Sequence, residues 1–303
     1  MDTVLFYAAV IATLFAAPWL MNRLVWQPRL RREAEGAPRI TLAEAQSFWN
    51  AIEECALPIA KAIVQSRPPS SPQESRIGGA PLAIGQDTSW PRNPHNDFPM
   101  AFVAQVNFSE LPRLEGFPTR GVLQIFSSFE MIDDTGECDR VIRWEPDPQT
   151  DQLLVVPDEI QKTTRQTRDF SEKARRVGLP LIFEPDVAPG NPYNWPFEES
   201  DPSMENRLPE SEEVAAFMDN WEARTEQIVN GYGDHWVGGH PRFVQQDVRA
   251  SCPECQNLNR ILFHMGCDDE INLGDGGELN VMISREALLQ RDFQKAYLTW
   301  DCA

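Results

Sequence analysis

The sequence predicts an α+β fold built from duplicated antiparallel β-rich repeats with packed helices, plus one N-terminal transmembrane helix. Three observations predict it. One pattern occurs twice: Gly78-Gly79-Ala80-Pro81 running to Gln86-Asp87, and Gly238-Gly239-His240-Pro241 running to Gln246-Asp247. Strand-like runs follow one another without a regular alternation of strand and helix. The residues from Thr3 to Met21 carry no charge and are mostly apolar.

That N-terminal stretch is just long enough to cross a bilayer, which takes roughly 20 residues. Tyr7, Trp19 and Trp26 suit the interfaces, and Pro18 falls at the end, where a kink costs little. Asp2 precedes the stretch, whereas Arg23, Arg29, Arg31 and Arg32 follow it. Positive flanks stay inside, so the N-terminus lies outside and the main domain is cytoplasmic, at the inner (plasma) membrane. A cleaved signal peptide would carry its basic residues before the apolar core, the reverse of this order. The expected organisation is an anchor over 1–22, a basic linker over 23–40 and a domain over 41–303.

Thr41 and Glu44 match a capping box at the start of that domain. Leu42, Phe48, Trp49, Ile52, Cys55, Ile59 and Ile63 then recur at helical spacing, which predicts one amphipathic helix, kinked at Pro58 and stopped by Pro68. Runs at 103–106, 122–126, 141–144 and 153–156 read as strands, and 179–183 as another. Residues 158–177 read as a basic helix and 185–210 as a long loop. A helix follows Ser211, and Gly231 is placed to stop it. In the second copy, Ser284 caps a short helix and 296–300 closes as a strand. The repeats lie near 78–126 and 238–283, each one supersecondary unit, with a functional cleft expected where the halves meet.

With Lys+Arg 27 against Asp+Glu 46 the net charge is -19, which opposes binding to a phosphate backbone. Nucleic acid is therefore not an expected partner. The acidic run between Glu198 and Glu213 reads as a solvated loop leading into a helix. Six cysteines in a cytoplasmic domain are expected to stay reduced.

The Gly-Gly-x-Pro opening, Ser89-Trp90-Pro91, Phe102 to Val106 with its central Gln105, the Asn107 to Pro112 turn and Gly274-Asp275-Gly276-Gly277 together resemble the YwqG-like family, a bacterial domain of unknown function. The resemblance covers roughly 75–300. It implies an α+β fold of antiparallel sheet with internal duplication and brings no enzymatic activity. Some members of that family lie near toxin–immunity genes, which implies an immunity-like or inhibitor-binding role. Gly239 to Gln245, then Cys252-Pro253-Glu254-Cys255, is similar to programmed cell death protein 2 and its kin, which bind protein clients; here Phe243 replaces the usual Trp and Gln256 the usual Gly.

Candidate chemistry is sparse. Cys252 and Cys255 have the spacing to grip one Zn²⁺, but a structural site needs four ligands, so His264, Cys267, Cys302 or His240 would have to complete it. A redox pair and a plain turn are the other readings of the same two thiols. The run Asp268-Asp269-Glu270-Ile271-Asn272 fails as a Ca²⁺ loop, because Leu273 and Leu279 stand where Gly and Glu are needed. Gln105 and His264 occupy equivalent places in the two copies and, with Asp275, are the candidates for a ligand cleft. No serine-nucleophile elbow or phosphate loop occurs. The expected function is a membrane-anchored, cytoplasm-facing module that binds or regulates an unidentified protein, with the membrane held through residues 3–21 and no cofactor. The alternative is an enzyme or zinc protein using the inter-repeat cleft or the Cys252/Cys255 turn.

Overall fold

The computed structural model describes residues 39–302, apart from 86–87, 132–136, 162–169, 191–207, 231–233 and 246. The expected membrane anchor, nearly all of the linker, and Gln86, Asp87 and Gln246 lie outside the described residues. Among the described residues no helix is long and apolar enough to cross a membrane.

The expected α+β arrangement of repeats with packed helices is replaced by one ten-stranded antiparallel sheet. Its strands are β1 (Leu57–Val64), β2 (Arg76–Ile77), β3 (Ala101–Asn107), β4 (Val122–Met131), β5 (Cys138–Glu145), β6 (Leu179–Ala188), β7 (His235–Gly238), β8 (Arg260–Met265), β9 (Glu278–Ile283) and β10 (Tyr297–Asp301). They lie in the order β10-β9-β8-β7-β1-β6-β2-β3-β4-β5. The two outermost strands come together: Glu137 bridges to Thr299, and Arg140 Nε donates to the Ala296 carbonyl. The sheet is thus nearly closed, like a barrel. Closure buries one face of the sheet on itself and protects its edges, so the main core needs no helical layer. Among the described residues the α-helices are few: α1 (Leu42–Glu54), α2 (Asp158–Gln161), α3 (Glu172–Arg176), α4 (Glu212–Asn230), α5 (Val248–Ser251) and α6 (Arg285–Gln290).

The described residues fall into two compact units, 39–51 with 208–224, and the remainder from Ile52 onward. In the first, Thr41 Oγ1 accepts the Glu44 N–H at 3.2 Å while the Thr41 N–H reaches Glu44 Oε2 at 2.7 Å, the reciprocal capping box. Its apolar contacts join Ala45, Leu208 and Val214, with Trp49 tilted against Trp221 at 4.6 Å. The second unit is the sheet.

Local expectations fail for identifiable reasons. The helix stops at Glu54 rather than running to Ile63, and 57–64 is β1. Pro58 cannot continue a helix, and β1 gains two antiparallel partners, β6 and β7. Residues 153–156 make one bridge, Leu82 to Leu153, instead of a strand. The expected loop from 185 begins later, because β6 extends to Ala188 opposite Leu57.

Outward from the central pair β1–β6, one wing is β2-β3-β4-β5 and the other β7-β8-β9-β10. A Gly-Gly pair leads off the first strand of each wing. All four glycines have positive φ (65° and 73° at Gly78 and Gly79, 85° and 68° at Gly238 and Gly239). A Cβ on Gly79 would stand 2.7 Å from the Val177 carbonyl, and one on Gly238 2.8 Å from that of Pro58. Each pair turns the chain tightly onto the outer face of its own wing. One covering segment seats Leu82 and Ile84 on Val122; the other seats Val248, Cys255 and Leu258 on Trp236, Ile261 and Met282. The inner face is the main core, with Val103, Leu123, Ile125, Phe263, Val281 and Leu298 fully buried.

Candidate functional site

Among the described residues, a dense cluster of buried polar groups lies beneath the second covering segment. The strand register sets one row of side chains, Trp236 opposite His264, His264 opposite Asn280, and Asn280 opposite Thr299, with Glu278 opposite Asp301 beside it. Each of these residues is next in sequence to one that faces the main core, so strand alternation aims them at the outer face.

Arg242, just past Gly238-Gly239, is drawn onto this row from above. Asn280 Nδ2 donates to the Arg242 carbonyl at 2.6 Å, and the Arg242 N–H donates to Asn280 Oδ1 at 3.3 Å. The guanidinium lies 5.1 Å from the Trp236 ring centroid, and its Nε donates to Glu278 Oε1 at 2.5 Å. His264 stacks on Trp236 at 3.5 Å with ring planes 13° apart. His264 Nδ1 meets Asn280 Oδ1 at 2.9 Å, and its Nε2 faces Glu278 Oε2 at 3.5 Å. Asp301 Oδ2 accepts the Val244 and Gln245 N–H groups, each at 2.9 Å, and so holds the next part of the covering segment.

Burial dominates the electrostatics. It pushes the Glu278 carboxyl up to about 7, against the Arg242 charge that would lower it. Burial, then Arg242, holds His264 well below its ordinary range. Asp301 is raised by burial against its backbone donors. Nearby, burial lowers His240 to about 4, opposed by its hydrogen bond at 2.8 Å to the Cys55 carbonyl.

The first wing carries a matching clamp built from amides alone. Gln105 Oε1 accepts the Leu82 N–H at 3.0 Å, and Gln124 Nε2 donates to the Leu82 carbonyl at 2.7 Å. Gln105 Nε2 also donates to the Pro72 and Glu74 carbonyls at 3.0 and 3.1 Å. Both wings therefore pin a covering segment through its backbone.

The structure does not bring the sequence-predicted cleft residues together. Gln105 is on β3 and His264 on β8, with β2, β6, β1 and β7 between them, and each serves its own wing. Asp275 is exposed in the turn before β9. Cys252 and Cys255, expected to be reduced, are joined as a disulfide around a short turn, Pro253–Cys255, with Cys255 buried. Among the described residues no group of three or more His, Cys, Asp or Glu side chains is arranged to hold a metal ion. Asp268 Oδ1 accepts the Glu270 and Ile271 N–H groups, each at 2.7 Å, and its Oδ2 meets His235 Nε2 at 3.1 Å. Sequence reasoning missed Arg242, Glu278 and Asn280. The available signal was two polar residues, Glu278 and Asn280, two positions apart in the strand-like run after Gly277.

A nearly closed antiparallel β domain, with an outer segment clamped on each wing, is the class these features define. The chain belongs to the family described as Domain of unknown function (DUF1963), which matches residues 75–302. No curated protein matches the chain.

Proposed function

We propose that this chain is a membrane-anchored module that binds a protein partner on the outer side of its central strand pair. One observation carries the reading. The covering segments abut the central pair at its ends, through Gly79 against Gly178 and Gly239 against Ala188. Between them Ile63 pairs with Ile182, and Ile182 stays 43% exposed. Lys61 opposite Glu184 flanks this apolar pair. Exposed Ile182, with half-buried Ile63 opposite it and charged neighbours, supports this reading as a small apolar face with a polar rim. Within the family, the YwqG-like resemblance and its immunity-like role fit this reading, as does client binding of the programmed cell death protein 2 type. Residues 3–21 supply the membrane attachment.

The test is site-specific photo-crosslinking in cells with the full-length protein. A probe at Ile182 is expected to give a discrete protein adduct that Ile63→Lys abolishes, and a probe at Val155, 88% exposed, is not. Equal labelling from both positions would remove the binding face. Full-length protein is expected to stay with membranes through an alkaline wash; its release would remove the anchor.

A further inference from the structure

Glu278 Oε2 and His264 Nε2 face each other across 3.5 Å, and neither makes a hydrogen bond. The neighbouring amide fixes the tautomer of the imidazole. Asn280 turns Nδ2 to the Arg242 carbonyl and Oδ1 to the Arg242 N–H, so Oδ1 is what meets His264 Nδ1. An acceptor at that position requires the proton on Nδ1. Nε2 of the neutral ring is therefore a lone pair aimed at a carboxylate oxygen, which is an acceptor too. His264 is fully buried and the Glu278 side chain is 10% exposed. Two facing acceptors in so dry a place repel each other unless a proton lies between them. The gap is too short to seat a bridging water.

We propose that Glu278 and His264 hold one proton in common, a buried proton site that keeps the Arg242 latch at constant charge through the neutral range. The charged groups facing it are Arg242 from the covering segment, Asp301 from β10, and Asp234 and His235 at the start of β7. The inference stands apart from the binding face on the central pair.

The proton count gives the site a recognisable pH signature. Alone, a carboxyl raised from 4.5 to about 7 contributes stability below pH 4.5 that is lost as the pH rises through about 7. Alone, an imidazole held below 6.5 contributes stability above pH 6.5 that is lost as the pH falls. Together, the folded site holds one proton, and so does the unfolded pair between 4.5 and 6.5, where the histidine carries it. The two dependences cancel there.

The test compares unfolding of the wild type, Glu278→Gln and His264→Gln between about pH 5 and about pH 8. Relative to the wild type, Glu278→Gln is expected to lose stability toward acid and His264→Gln toward alkali. Each slope approaches a tenfold change in unfolding constant per pH unit, about the full effect of one proton. Variants that run parallel to the wild type would overturn the proposal. Should either variant fail to fold, NMR on the wild type decides. The His264 ring nitrogens and the Glu278 carboxyl carbon are expected to shift through a common midpoint; separate midpoints would overturn it.

Discussion

Gly266 lies beneath the guanidinium of Arg242: a Cβ there would stand 3.3 Å from Nη2 and 3.1 Å from the Asp234 carbonyl oxygen. The bare backbone leaves the arginine room to reach both Trp236 and Glu278. Gly266→Val therefore drives the guanidinium off its seat. Overpacking of this kind costs about 1–3 kcal/mol, measurable as a lower midpoint in urea. The same substitution at Gly276, where a Cβ meets nothing within 4 Å but φ is 59°, tests backbone strain without touching Arg242.

Asn280→Ala should cost more than its size suggests. It strips the Arg242 N–H, the Arg242 carbonyl and the His264 Nδ1 proton of their common partner. An unsatisfied buried polar group costs about 1–3 kcal/mol, so the loss should fall in that range or above it. Hydrogen exchange should show the amides of 242–245 losing protection while 82–84 keep theirs. Gln124→Ala should do the reverse.

Acid should act on the first wing through Glu74. Its hydrogen bond from Arg67, opposed by burial and aided by Ser70, lowers the carboxyl to about 2. The folded value lies below the ordinary 4.5, so this stability is present above pH 4.5 and is lost as the pH falls toward 2. Glu74→Gln should flatten that part of the stability profile, and an unchanged acid limb would refute the assignment.

Thiol labelling checks the disulfide. In native protein Cys55, which is exposed, should alkylate readily, whereas Cys252 and Cys255 should label only after reduction. Immediate labelling of both would restore the reduced reading and reopen zinc. Cys255 packs with Ile261 and Met282, so Cys255→Ser buries a hydroxyl and should cost about 1–3 kcal/mol.

Much of the sheet was legible because its strands are apolar runs with clear breaks, as at 103–106 and 122–126. β1 was misread because Ile52, Cys55, Ile59 and Ile63 continue the helical spacing of α1, and only pairing with β6 decides otherwise. Closure was invisible for a similar reason. The contact of Glu137 with Thr299 joins distant parts of the chain and leaves no local periodicity. Gln105 and His264 were singled out as polar residues within apolar runs, and each proves to be a fully buried clamp component. Their partners were harder. Arg242 and Glu278 look like isolated surface charges until the Gly-Gly turn folds one over the other.

The central position of the first strand bears on how the chain is made. As the polypeptide leaves the ribosome, β1 emerges long before either of its neighbours, β6 at Leu179–Ala188 and β7 at His235–Gly238. Its partners on both sides are non-local, and bringing distant segments together costs chain entropy before any contact repays it. β1 must therefore wait as an unpaired apolar segment through most of synthesis. Lys61 and Pro58, a charge and a missing donor within that segment, are well placed to keep the waiting strand from pairing with the wrong chain.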